Sequence, residues 1–188
     1  SSLVAQNSYN SHLEQQFKNE KIDVKQQLVF LSGHTALQRT SITNKSAKPI
    51  TLFPSFYASL FLDDLQLSNE KNTLKIVSTK SIAVGYIQFL KSNPEIEITK
   101  QGYKAQTEKL VLKPNETKEI VVSQSFIFPQ YSWKTENETI QKTVFTTLLN
   151  NTQKEKEKQL AQLIAKKKNI YKDHSYSDLV AKLVLTLQ

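Results

Sequence analysis

Short segments rich in β-branched and aromatic residues recur along this chain about every 8 to 15 residues, with polar turns between them and no long helical pattern until past residue 150. A doubly wound α/β fold needs helices alternating with its strands, so this rhythm points instead to antiparallel strands joined by hairpins and short crossovers. "IDVKQQLVFL" opens the series at Ile22. "TLKIVS" and "SIAVGYIQFL" follow the turn Asn69-Glu70-Lys71-Asn72, and the second of these reads as a central strand because both its faces are largely apolar. "EIEIT" alternates as a half-buried strand does. Pro54 interrupts the strand ending in Phe53 and marks an edge, a bulge or a crossover between sheets. In "KEIVVSQSFIF", Ile120, Val122, Phe126 and Phe128 fall on one face and are expected to fill a core. The turn before it, Lys113-Pro114-Asn115-Glu116-Thr117, has the chemistry of an architectural bend.

Two stretches, "SITNKSAKPITL" and "LVLKPNETKEIVV", resemble paired segments of the immunoglobulin-like β-sandwiches of bacterial envelope and secreted proteins. The likeness covers residues 35 to 125 and carries no functional residue with it. It implies a mainly β protein built on an immunoglobulin-like antiparallel sandwich, here with a short N-terminal helix and two C-terminal helices. That helix is expected over residues 8–20, where Leu13 and Phe17 stand four apart. A last strand is expected from Thr143 to Leu149. Beyond it Leu160, Leu163 and Ile164, then Leu179, Leu183, Val184 and Leu187, have helical spacing, with the two helices joined near Asp173. The expected organisation is a tether and helix over 1–21, a sandwich over 22–149 and a helical appendage over 150–188.

A net charge of +8 suggests an anionic partner, but of 25 basic residues only Arg39 is arginine. Arginine supplies the planar fork that reads guanine edges and phosphates, so sequence-specific nucleic-acid binding is not expected. Lysine-driven attraction to a polyanion or an anionic membrane surface stays open. With no cysteine there is no disulfide, thiolate site or cysteine nucleophile. The small, polar opening residues suit the mature start of an exported protein or the tether after a lipid-anchor cysteine, so a periplasmic, cell-surface or secreted location is expected.

No catalytic signature stands out. His12, His34 and His174 lack metal-ligand spacing, Asp63-Asp64 reads as a solvated turn, and the glycines Gly33, Gly85 and Gly102 form no phosphate-binding loop. No metal or cofactor is expected. Two surfaces are candidates for interaction: the aromatic group Phe126, Phe128, Tyr131 and Trp133, and the basic run Lys166, Lys167 and Lys168 in the C-terminal helical segment. For the first, the competing reading is that Phe126 and Phe128 are core and Trp133 closes the sandwich end. These features point to a non-enzymatic protein-binding or structural component of an envelope or secreted assembly. The alternatives are the lysine-driven polyanion binder and an enzyme with a distributed site.

Overall fold

The computed structural model describes residues 2–59, 63–99, 102–165, 170–171 and 174–175. In chain order the first strands are β1 (Ser2–Ser8), β2 (Leu13–Lys18), β3 (Ile22–Phe30), β4 (Thr35–Asn44), β5 (Ile50–Leu52), β6 (Ser55–Ser59), β7 (Leu65–Glu70) and β8 (Thr73–Ser78). Then come β9 (Val84–Leu90), β10 (Glu95–Thr99), β11 (Gly102–Gln106), β12 (Leu110–Leu112) and β13 (Thr117–Ile127). Helices α1 (Trp133–Lys142) and α2 (Phe145–Ala165) follow, and β14 (Ile170–Tyr171) pairs with β15 (His174–Ser175). The protein is thus mainly β and antiparallel, with two helices on the C-terminal side of the strands.

Eight strands form one sheet in the order β1-β2-β3-β4-β13-β9-β8-β7, and β10-β11-β6 form a smaller one. The small sheet lies over one face of the large one. There Phe89, Ile120 and Val122 meet Ala105 of β11, flanked by Phe56, Ile96 and Tyr103. The opposite face of the large sheet is covered by the helices, where Val29 and Leu37 meet Ile140, Phe145 and Leu149. Fully burying such a side chain stabilises the fold by about 1.5–3 kcal/mol, so these two clusters fix which strand positions face which layer.

Several expectations meet this architecture directly. β9 is central, lying between β13 and β8. Pro54 stands between β5, which pairs with β12, and β6, which belongs to the three-stranded sheet, so it does mark a crossover between sheets. The turn before β13 is structural. Asn115 adopts a φ of 63°, Lys113 N–H donates to the Glu116 carboxylate at 2.7 Å, and Asn115 N–H donates to the Asn44 carbonyl at 2.8 Å. Asn44 is itself fully buried, donating its side-chain amide to the carbonyls of Lys48 and Leu112, which stitches the two bends together.

Other expectations are corrected. Residues 8–20 form no helix: β1 and β2 are a hairpin that extends the large sheet. The i, i+4 spacing of Leu13 and Phe17 fits a strand equally well, since both periods bring these residues to one face, and they pair with Leu28 and Val24 of β3. The strand expected from Thr143 to Leu149 is instead the junction of α1 with α2. Its β-prone threonines yield to the tertiary contacts of Phe145, Leu148 and Leu149, whose spacing lays one helical face on the sheet. Ser132 caps α1 by accepting from Thr135 N–H. Phe126 and Phe128 are not core, being 62% and 43% exposed, because the small sheet does not reach their corner. The second C-terminal helix, and Lys166, Lys167 and Lys168, lie outside the described residues.

Candidate functional site

Residues paired across antiparallel strands share a face, so the register sorts β1–β4 into two sets. On the face away from the helices, Gln6, Gln15, Gln26 and Thr40 form one row across the four strands. The next row is Ser8, Leu13, Leu28 and Gln38. A third row carries Phe30, Ala36 and Gln124, and Phe126 begins a fourth over Gly85. The small sheet leaves much of this region open, and a groove of about 580 Å³ lies over it, lined by Gln6, Ser8, Leu13, Gln15, Gln26 and Gln38 among others.

Among the described residues, the groove lining holds no cation, and its one charged residue is Glu14. By register, however, the charged side chains lie off the amide rows. Glu14, Lys18, Asp23, Lys25 and Arg39 all fall on the opposite parity, toward the helix side. The same strands thus present two chemistries. On the helix side Arg39 donates to the Gln27 carbonyl at 2.6 Å and to the Thr146 hydroxyl at 2.9 Å, pairs with Glu119 at 3.2 Å and lies 4.5 Å over the Phe145 ring. The Gln27 amide donates to Glu14 at 2.9 Å, and Gln16 and Lys25 reach the same carboxylate at 2.8 and 2.9 Å. Burial pushes the Glu14 carboxyl up, but these hydrogen bonds and the Lys25 charge outweigh it and hold the group below its ordinary value. His12, stacked on Tyr9 and 3.8 Å from Glu14, is pushed below its ordinary value by burial, which the Glu14 charge only partly offsets.

On the groove side the amides of Gln6, Gln15 and Gln26 have no hydrogen-bond partner among the described residues. Gln38 accepts only a long contact from Gln124, at 3.4 Å. The Thr40 hydroxyl that continues the row is buried and unpartnered, with the residue 7% exposed. Leu13 and Phe30 offer apolar surface, at 49% and 68% exposed. Free amides interleaved with apolar patches suit a ligand that has both hydroxyl-like groups and apolar faces. A second hollow of about 320 Å³ lies between β13 and the helices, but its carboxylates are engaged, Glu108 by Ser92 and Asn93 and Glu119 by Arg39 and Ser41.

The aromatic residues singled out in the sequence are divided between the layers. Phe126 stands on the groove side, with its ring 3.6 Å from where a Cβ on Gly85 would sit. Tyr131 lies against His34 with ring centres 3.8 Å apart. Trp133 opens α1 and stacks parallel on Tyr86 at 3.9 Å, where it packs against the helix-side core. The glutamine rows carried no recognisable motif, because their members are separated by a turn at every step and only the register unites them.

No protein-family model matches this chain, and no curated protein matches its sequence. Solved structures do match its fold. The Slr1438 protein of Synechocystis sp. PCC 6803 aligns with a TM-score of 0.51 at 7% identity, over 66% of this chain and 65% of that one. A polysaccharide lyase aligns with a TM-score of 0.51 at 12% identity, over 60% of this chain and 21% of the lyase. A galactose mutarotase related enzyme from Lactobacillus acidophilus aligns at 0.44 and 9% identity, over 68% of this chain and 71% of the other. This chain therefore spans about two-thirds of the first and about a fifth of the lyase. The expectation of a non-enzymatic binding or structural component, and with it of no enzyme, is corrected here, since the chain's sandwich-like fold is one found in a carbohydrate-active enzyme.

Proposed function

We propose that this chain serves in a carbohydrate-active enzyme, and that the open groove over β1–β4 holds the saccharide. What carries the reading is the row of free amides in a groove whose lining holds no cation. An amide sets a donor beside an acceptor, and a sugar hydroxyl is both, so neighbouring hydroxyls can bridge one glutamine in both directions. Strands lie about 4.8 Å apart, so the row from Gln6 through Gln15 to Gln26 spans about 10 Å, long enough for more than one sugar ring. Leu13, Leu28 and Phe30 would take the apolar C–H faces, and Phe126 would extend the same surface. The polysaccharide lyase with a similar fold supports this class of ligand. Amides bind and orient but move no proton near neutral pH, so the contribution assigned to this face is to grip the substrate.

Electrophoresis of the protein through gels containing dissolved polysaccharides tests the reading. Retardation in at least one glycan, lost in the Gln15→Ala/Gln26→Ala double variant, is the expected result. Unchanged migration across a broad panel of neutral and acidic polymers would overturn it.

A further inference from the structure

We infer that the groove selects a neutral glycan, one whose sugars carry hydroxyl or amide groups but no carboxylate or sulfate. This rests on the saccharide reading above and runs against the chain's charge of +8, which by itself favours acidic polymers.

The inference follows from where the charges are. Recognition of a carboxylate or sulfate inside a groove needs a cation or several convergent N–H donors, because stripping an anion of water is expensive unless it is paired. The groove-facing positions of β1–β4 provide no cation. On the groove-facing parity, Gln6, Ser8, Leu13, Gln15, Gln26, Leu28 and Gln38 line it and are all uncharged. The first cation on this side of the sheet by register is Lys118 of β13, which pairs with Ile42 of β4 in a row of the sheet that does not line the groove. The one charged residue in the lining is an acid, Glu14, which lies between Leu13 and Gln15 and is paired with Lys25 at 2.9 Å. An anionic sugar laid on Gln15 would find no cation to pair with and would leave the glutamine carbonyl oxygens facing a pure acceptor. A hydroxyl meets neither difficulty.

The test compares neutral glucan and mannan fragments with polygalacturonate and heparin fragments of matched length, by calorimetry at low and moderate salt. The inference expects a neutral fragment to bind with little salt dependence, and the Gln15→Ala/Gln26→Ala double variant to weaken it about tenfold or more while its melting curve stays unchanged. The variant Gln26→Lys supplies an independent readout, since a cation placed in the row should bring in an acidic fragment that the natural protein does not hold there. Tight binding of an acidic fragment that is lost in the glutamine double variant would overturn the neutral class and leave the saccharide reading standing. Acidic binding that falls steeply with salt and ignores the glutamines would overturn both, assigning the interaction to surface lysines. Failure of every fragment to bind would remove the saccharide reading itself, and the inference with it.

Discussion

The two faces of β2 and β3 carry the same residue type in opposite roles. Gln16 and Gln27 face the helices and spend their amides on Glu14, while Gln15 and Gln26, one residue away in each strand, face the groove without a partner among the described residues. A shift of one residue in a strand exchanges faces, so chemistry identical in composition becomes scaffold on one side and a free surface on the other. Position relative to Arg39 makes the difference. Its guanidinium organises Gln27, Glu119, Thr146 and Phe145 into a network joining β3, β4 and β13 to α2, and nothing comparable stands on the groove side among the described residues. Buried amides are useful to a fold when something fixes them, and amides left free are useful to a ligand.

That contrast can be broken by substitution. The largest effect is expected from Arg39→Ala, which strands Gln27 and Glu119 and removes the ring contact with Phe145. A loss of about 2–4 kcal/mol in chemical denaturation is predicted. Arg39→Lys should recover less than half of that, because an ammonium cannot fork to several partners. If Arg39→Ala were as stable as the natural protein, the helix-side network would not be structural.

Acid should loosen the same side. His12 lies below its ordinary value of 6.5 in the folded protein, so the unfolded chain takes up the proton first and stability falls as the pH drops below about 6.5. Glu14 is also lowered, so its contribution is present above the ordinary carboxylate range and is lost as the pH falls through its folded value. Both signs agree. Amide hydrogen exchange in β1 and β2, corrected for intrinsic rates, should accelerate between pH 7.5 and pH 5 relative to β9 and β13. Equal change in both regions would detach the effect from His12 and Glu14.

Smaller effects are expected on the groove side. Phe126→Ala should cost less than about 1 kcal/mol, since the ring is mostly in water, and should weaken glycan binding several-fold. Gln15→Ala/Gln26→Ala should change stability by no more than about 0.5 kcal/mol, the usual range for surface positions that support no other contact. A large destabilisation there would show that these amides are structural after all.

Much of the strand framework could be read from alternation. β3, β9, β10 and β13 follow their apolar patterns, and the bends at Pro54 and Asn115 do what proline and asparagine favour. The first hairpin has a helical signature in the sequence because a four-residue spacing suits both a helix and a strand. The helices after Ser132 were obscured by β-prone threonines whose preference is overridden by the anchoring of Phe145 and Leu149 on Val29 and Leu37. The exposure of Phe126 depends on how far the small sheet extends, which no local pattern encodes. The groove itself left one signal. Glu14, Lys18, Asp23, Lys25 and Arg39 all take one parity of their strands, and once the register is known that single-sided charge separates them from the amide rows.

The most direct test of this division follows the side-chain amide resonances of the glutamines by NMR while a neutral oligosaccharide is titrated in. Larger shifts are predicted at Gln6, Gln15, Gln26 and Gln38 than at Gln16 and Gln27, whose amides are held by Glu14 within the fold. Shifts confined to Gln16 and Gln27, or spread equally over both faces, would contradict it.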